Sequence, residues 1–144
     1  ILGGGGDSLI GVLHRVASQM YDRYEIVGGV FNPNYNENIK FAEQIGVNRD
    51  RVYNDFDTLV AEEIQKTKEE RIEVISILTP NFLHFSMAKK LLENGFHVIC
   101  EKPLTTTYQE AQELYSILQE KKTVFAVTAF TVTVPFPVAS KTTV

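Results

Sequence analysis

Short apolar segments rich in β-branched residues alternate with segments of helical periodicity along most of the chain, and this alternation limits the fold more than any other feature. The β-type segments are a remnant before the first glycines, EIVGGVF (25–31), Arg51-Val52-Tyr53, IEVISIL (72–78), HVIC (97–100) and TVFAVTA (123–129). Strands separated by helices of about 10 to 15 residues predict βαβ units and a parallel sheet. Because the strands are almost entirely apolar, helices are expected on both faces. The predicted fold class is α/β, a doubly wound parallel sheet of the Rossmann type.

Ordinary start and stop signals bound the intervening helices. The predicted helices cover about 8–22, about 36–46, Asp55 or Asp57 to about Lys68, the residues from Thr79-Pro80-Asn81 to Asn94-Gly95, and the region of Ala111–Leu118. The final stretch, TVTVPFPVASKTTV, has two prolines and no helical period. We therefore predict a dinucleotide-binding domain over 1–130, followed by a tail or the truncated start of a second domain over 131–144.

Composition narrows the class of protein. The chain has 144 residues, 44% of them hydrophobic, which suits one domain with a real core. A net charge of -4 argues against nucleic acid as the main partner. The single cysteine, Cys100, excludes an internal disulfide and a cysteine-based zinc site, and it indicates a cytoplasmic protein without a metal. No apolar run approaches the roughly 18 residues that span a bilayer, so no membrane partner is expected. The start lacks a basic region and an initiator Met, so we expect no signal peptide and some residues missing there.

The stretch GGGGDS (3–8) follows a strand remnant and opens a helix. Read as G-x-G-x-x-small, Gly3 makes the tight turn and Gly5 lets the backbone approach a pyrophosphate. Ser8 then stands where a third glycine would allow close packing of helix on strand. The alternative is a flexible loop, because glycine runs are common in loops. The flanking strand and helix favour phosphate binding, since a helix N-terminus offers free N–H groups to an anion.

The second predicted strand ends in Phe31-Asn32-Pro33-Asn34, where a dinucleotide-binding fold usually places an acidic residue for the ribose. Asn32 can hydrogen-bond a ribose hydroxyl but carries no charge to reject a 2′-phosphate. No arginine stands beside it in the sequence to attract one. The choice between NAD and NADP is therefore open at this position.

Two further motifs follow neighbouring strands. TPNFLH (79–84) begins a helix after the strand 72–78, and a simple helix start is the alternative reading of Thr79, Pro80 and Asn81. Glu101, Lys102 and Pro103 end the next strand. Pro103 biases Lys102 towards an extended conformation, which holds its ammonium at the crevice beside the TPN loop. An exposed lysine before a proline is often merely solvated, but three motifs at one sheet edge favour a site. Cys100, His14 and His97 are interpreted as structural.

In this order and spacing, GGGGDSLIG, ISILTPNFLH and HVICEKPL resemble the glucose–fructose oxidoreductase/inositol dehydrogenase/rhizopine-catabolism (Gfo/Idh/MocA) family over about 2–131. The resemblance implies a Rossmann domain that binds NAD or NADP and serves hydride transfer at a sugar or cyclitol carbon. It implies that Lys102 lies near the nicotinamide and the reacting hydroxyl as the catalytic residue. The predicted cofactor-binding residues are Gly3, Gly4, Gly5, Gly6, Ser8, Asn32, Thr79, Pro80, Asn81, His84, Glu101, Lys102 and Pro103.

The chain departs from the family pattern in two places. The family's second α/β domain, which supplies most of the substrate pocket and an acid–histidine pair, is absent from this chain. After the last strand the sequence reads TAFTVTVPFPVASKTTV instead of a segment rich in His and Tyr. The chain alone is therefore expected to bind cofactor but to turn over little.

The function predicted from these features is the cofactor domain of an NAD(P)-dependent oxidoreductase acting on a sugar or polyol, in a protein that forms homo-oligomers. A non-catalytic dinucleotide-binding regulator of the same fold is the alternative. A domain that binds S-adenosylmethionine is a third hypothesis. It predicts an acidic residue at the end of the second strand, and Asn32-Pro33 argues against it.

Overall fold

The computed structural model describes residues 1–129, and the predicted tail over 131–144 lies outside them. Strands and helices follow one another as β1 (Leu2–Gly3), α1 (Leu9–Gln19), α2 (Tyr35–Gln44), α3 (Phe56–Glu63), β2 (Val74–Leu78), α4 (His84–Glu93), β3 (His97–Glu101), α5 (Tyr108–Lys121) and β4 (Phe125–Thr128). Single turns of 3-10 helix cover Arg49–Arg51 and Asn81–Leu83. Residues Met20–Asp22 form a turn in which Tyr21 has a φ of +62°. No helix within residues 1–129 is long and apolar enough to cross a membrane.

The four strands form one parallel sheet in the order β1-β2-β3-β4. Two parallel bridges, Leu2 with Val30 and Gly29 with Val52, add two extended segments beyond β1. The chain therefore places these two segments on one side of β1 and then places β2, β3 and β4 in turn on its other side. This arrangement confirms the predicted doubly wound α/β fold, and the strand order reverses between β1 and β2. Ligands of such sheets bind in the crevice at this reversal, beside the carboxyl ends of the strands.

The two segments beyond β1 are less regular than predicted. The strands expected over 25–31 and 51–53 are reduced to the bridges at Gly29, Val30 and Val52. A Cβ at Gly29 would lie 2.1 Å from the carbonyl oxygen of Ile1, so the backbones approach too closely there for a side chain. Glycine lowers the intrinsic stability of a strand, which fits the short ladder.

Helix boundaries also differ from the sequence-based expectation. The first helix ends at Gln19 instead of about residue 22, because the backbone of Met20 is extended and Tyr21 and Asp22 after it adopt positive φ angles. The third helix ends at Glu63 instead of about Lys68. The side chain of its last residue, Glu63, is buried and makes polar contacts that sequence periodicity does not predict.

A buried carboxylate ties this part of the core together. The Glu63 side chain is fully buried and accepts hydrogen bonds from the Arg51 guanidinium at 2.9 Å, the Ile72 N–H at 2.7 Å and the Tyr53 hydroxyl. Burying an ionised carboxylate is costly unless it is paired and hydrogen-bonded. These three donors satisfy it, and they join the end of α3 to the segments on either side of it.

Candidate functional site

The glycine loop between β1 and α1 is held by close backbone contacts. Ser8 caps α1 and accepts a hydrogen bond from the Gly11 N–H at 3.1 Å. A Cβ at Gly11 would lie only 1.8 Å from the carbonyl oxygen of Gly4. Gly11, and not Ser8 as predicted, is therefore the residue that allows helix and loop to pack closely. Its signal in the sequence is a glycine inside an otherwise helical segment, where glycine costs helix stability relative to alanine.

Gly5 and Gly6 face different surroundings. The Gly5 N–H donates to the carbonyl oxygen of Phe31 at 3.1 Å, and a Cβ at Gly5 would lie 2.6 Å from that oxygen. Gly6 has a φ of +57°, and no atom of the described residues lies within 4 Å of its ideal Cβ position. Within residues 1–129, the N–H groups of Gly6 and Asp7 donate to no acceptor. The loop thus presents open space and free donors at the N-terminus of α1, which suits a phosphate.

The end of the second extended segment is fixed beside this loop. Asn38 is fully buried; its Oδ1 accepts the Phe31 N–H at 2.7 Å and its Nδ2 donates to the Tyr53 carbonyl at 2.8 Å. Next in the chain, Asn32 is half-buried, and its Oδ1 accepts the Asn34 N–H at 2.8 Å. Within residues 1–129 the Asn32 amide nitrogen has no hydrogen-bond partner, so it can donate to a ligand hydroxyl. The sequence does not predict this role of Asn38, because only the structure shows that the asparagine is buried on the apolar face of its helix.

His84 lies where it cannot meet a ligand directly. Its side chain is 1% exposed. One ring nitrogen, Nδ1, lies 2.8 Å from the Pro103 carbonyl oxygen, and the other, Nε2, lies 2.9 Å from the Thr79 carbonyl oxygen. The predicted cofactor contact by His84 therefore needs correction, since both nitrogens already face backbone acceptors. The histidine instead ties the loop after β2 to the loop after β3, leaving Pro80 and Asn81 exposed at the crevice.

The Glu101 carboxylate accepts hydrogen bonds from three parts of the fold. Its Oε1 accepts hydrogen bonds from His14 Nε2 at 2.9 Å and from the Thr128 hydroxyl, and its Oε2 accepts the Lys102 N–H at 3.3 Å. Burial alone would raise the pKa of this carboxyl. The bonds from Thr128 and His14 outweigh burial and hold the pKa below its ordinary value of 4.5. Glu101 is thus an ionised anchor between α1, β3 and β4.

Lys102 extends from this anchor into solvent. Its side chain is exposed, as is Pro103 after it. Within residues 1–129, no carboxylate lies within 4 Å of the Lys102 ammonium. The carboxylate of Glu101 contacts Lys102 only at its backbone N–H. The ammonium can therefore donate hydrogen bonds to a ligand at the carboxyl end of β3.

Replacing Glu101 with glutamine should destabilise the protein at neutral pH more than at acid pH. Because the folded-state pKa lies below the ordinary value, the stabilisation is present in full above pH 4.5 and is lost as the pH falls through the folded value. We expect the gap in urea midpoint between parent and Glu101→Gln to shrink below pH 4.5. Glu69→Gln, at an exposed residue, is the control and should show no gap at either pH. A gap that widens towards acid pH would contradict the assignment.

The parallel sheet brings most of the predicted residues to one edge. Gly3 pairs with Leu78, so the glycine loop lies beside Thr79, and the β2–β3 pairing places Glu101 and Lys102 next along the same edge. This geometry, with free N–H donors at one end of the crevice and an exposed ammonium at the other, defines a Rossmann domain that binds a dinucleotide.

Comparison with known proteins supports this assignment of a dinucleotide-binding Rossmann domain. Residues 2–129 match the model of the Gfo/Idh/MocA family, described as an oxidoreductase family with an NAD-binding Rossmann fold. Because the match covers most of the chain, this protein belongs to that family. The predicted resemblance and the predicted nicotinamide cofactor are both confirmed by this match.

Three relatives illustrate the similarity. An uncharacterized oxidoreductase of Bacillus subtilis, YfiI, is 36% identical over 89% of this chain and 32% of its own length. An inositol dehydrogenase homologue from Azotobacter vinelandii, solved with NADH and myo-inositol, has a TM-score of 0.84 and 37% identity over 88% of this chain and 33% of its own. The UDP-N-acetylglucosamine 3-dehydrogenase of Acidithiobacillus ferrooxidans is 30% identical over 82% of this chain and 34% of its own length. The chain thus spans about a third of these relatives.

Proposed function

We propose that residues 1–129 form the cofactor half of an enzyme that transfers hydride between a nicotinamide and a carbon of a sugar or polyol. The observation that carries this proposal is Lys102, exposed without an ionic partner in residues 1–129 at the same sheet edge as the glycine loop. The substrate class is supported by relatives: one was solved with myo-inositol, and another acts on UDP-N-acetylglucosamine by name.

The described residues fit a dinucleotide. Gly6 leaves open space, and the free N–H groups of Gly6 and Asp7 can donate to a pyrophosphate. Asn32 Nδ2 can donate to the ribose hydroxyls nearer the adenine. Beyond these, the proposal keeps the other predicted cofactor-binding residues of the crevice, which are Gly3, Gly4, Gly5, Ser8, Thr79, Pro80, Asn81, Glu101 and Pro103. Bound there, a nicotinamide supplies the hydride chemistry.

Lys102 supplies a positive charge where the substrate oxygen changes charge. Its Nζ donates a hydrogen bond to the reacting hydroxyl or carbonyl oxygen and can also donate to the cofactor ribose. A positioned donor stabilises negative charge that develops on oxygen in the transition state. The residues on both sides of the lysine hold it in place. The Pro103 carbonyl lies against buried His84, and Glu101 is bound by His14 and Thr128.

The proposal is tested by joining residues 1–129 to the second domain of an active family member and assaying NAD(H)-linked turnover on a panel of sugars and polyols. Turnover on any member of the panel supports an oxidoreductase. Saturable NADH binding without turnover by a folded chimera would support the non-catalytic regulator instead. Tighter binding of S-adenosylmethionine than of NADH, measured by thermal shift, would support the third hypothesis.

Cofactor preference should depend on Asn32. Asn32→Asp keeps the Oδ1 acceptor for the Asn34 N–H but adds a charge that repels a 2′-phosphate. We expect the ratio of NADPH to NADH affinity to fall by about tenfold in isothermal titrations. Asn48→Asp is a matched control, because Asn48 Oδ1 accepts the Asp50 N–H in the same way away from the site. A parent that already prefers NADPH by about a hundredfold would contradict this account of the position.

The boundary between a domain over 1–130 and a tail over 131–144 remains a prediction, as do the homo-oligomeric state and the cytoplasmic location. Limited proteolysis and light scattering test the first two. Cleavage near residue 130 and a mass above that of one chain are the expected results.

A further inference from the structure

We propose that His14 and Thr128 are positioning residues for Lys102 and act on it through the Glu101 carboxylate. The inference rests on the proposed role of Lys102 and adds the residues that hold it in place. Sequence reasoning interpreted His14 as structural and did not single out Thr128.

The contacts form a continuous path. His14 Nε2 and the Thr128 hydroxyl both donate to Glu101 Oε1, and Glu101 Oε2 accepts the Lys102 N–H. The side chains of His14 and Glu101 are only 12% and 16% exposed. Two donors on one oxygen and one on the other fix the rotation of the carboxylate. The backbone of Lys102 is therefore set by groups on α1 and β4 as well as by its own strand.

The position of His14 gives this path a consequence for ligand binding. His14 belongs to α1, the helix whose N-terminus faces the glycine loop. A shift of α1 when phosphates bind would reach Glu101 through the His14 hydrogen bond and then the backbone of Lys102. The same contact thus couples the two ends of the cofactor crevice. A carboxylate that served only to neutralise the lysine would contact the ammonium, and Glu101 contacts the backbone N–H instead.

Two substitution pairs separate hydrogen bonding from packing. Thr128→Val keeps the shape of the side chain and removes the hydroxyl, whereas Thr128→Ser keeps the hydroxyl. His14→Leu removes the N–H donor, whereas His14→Gln places an amide N–H near the position of Nε2. His97→Gln is the control: His97 Nδ1 accepts the Val124 N–H at 2.9 Å at the opposite end of β3.

The readouts are the backbone amide signal of Lys102 in ¹H–¹⁵N NMR spectra and the NADH dissociation constant of the same chain. In Thr128→Val and His14→Leu we expect the Lys102 signal to shift and NADH affinity to fall about fivefold to tenfold. Thr128→Ser and His14→Gln should stay within about twofold of the parent, as should His97→Gln. Melting temperatures confirm that each variant is folded.

Parental Lys102 signals and NADH affinity in Thr128→Val would overturn the inference. An equal loss in Thr128→Ser would also overturn it, because packing alone would then explain the effect. These outcomes are separate from a failure of the proposed function. If the chimera were active but did not need Lys102, the Lys102 amide would still shift in Thr128→Val.

Discussion

Replacing Lys102 with methionine should lower turnover by at least about a hundredfold and leave the melting temperature close to that of the parent. Methionine keeps the length and the apolar stem of the side chain and removes the ammonium. The ammonium is exposed and has no carboxylate partner within residues 1–129, so its removal breaks no ion pair there. Exposed substitutions of this kind usually change stability by no more than about 0.5 kcal/mol. The measurement is the turnover number of the chimera described above, with saturating cofactor and substrate.

Lys68→Met is the matched control, because Lys68 is another exposed lysine without an ion pair in the described residues. It should leave turnover unchanged. Near-parental turnover of Lys102→Met on the true substrate would reduce Lys102 to a surface residue at the end of a strand. A modest fall in NADH affinity is compatible with catalysis by Lys102, since its Nζ can also reach the ribose.

Replacing Gly6 with alanine should weaken NADH binding by at least about tenfold. The Cβ of alanine would enter the open space in front of the free Gly6 and Asp7 N–H groups, where a pyrophosphate is expected. Among residues 1–129, no atom lies within 4 Å of that Cβ position, so the change creates no clash with this part of the chain. The positive φ of +57° still costs about 1 to 2 kcal/mol of stability.

Gly46→Ala is the control for that backbone cost. Gly46 has a φ of +77° and follows the end of α2, and in the described part of the chain no atom lies within 4 Å of its Cβ position. Both variants should lose similar stability in urea, and only Gly6→Ala should lose NADH affinity. Equal NADH affinity in the two variants would contradict phosphate binding by this loop. Gly5 is a poorer test than the sequence suggests, because a side chain there would strike the Phe31 carbonyl and disturb the fold itself.

The fold could be predicted from the sequence because its signals are local. Apolar runs such as IEVISIL, stopped by Thr79-Pro80-Asn81, have the composition of buried strands, and the alternation with helices leaves few topologies. The edge of the sheet that carries the site follows directly, since the carboxyl ends of parallel strands share one edge. The glycine loop, Thr79 and Lys102 are accordingly found together.

The contacts that hold the site could not be predicted, because they join residues far apart in the chain. His84 lies against the Pro103 carbonyl 19 residues later, and His14 binds Glu101 across 87 residues. The sequence predicts a ligand contact for a histidine in such a motif, and only the structure shows that both nitrogens of His84 face backbone carbonyls. The sequence shows Gly11 as a glycine within a helical segment, but only the structure shows that its missing side chain decides how closely α1 approaches Gly4.

The most direct test of the account is a titration of the ¹⁵N-labelled chain with NADH, followed residue by residue. Binding in the crevice predicts chemical-shift changes at the amides of Gly6, Asp7, Asn32, Thr79 and Lys102. The opposite end of the sheet, represented by His97, should stay unchanged. Saturable binding that perturbs the His97 end and leaves the glycine loop and Lys102 unmoved would contradict the account.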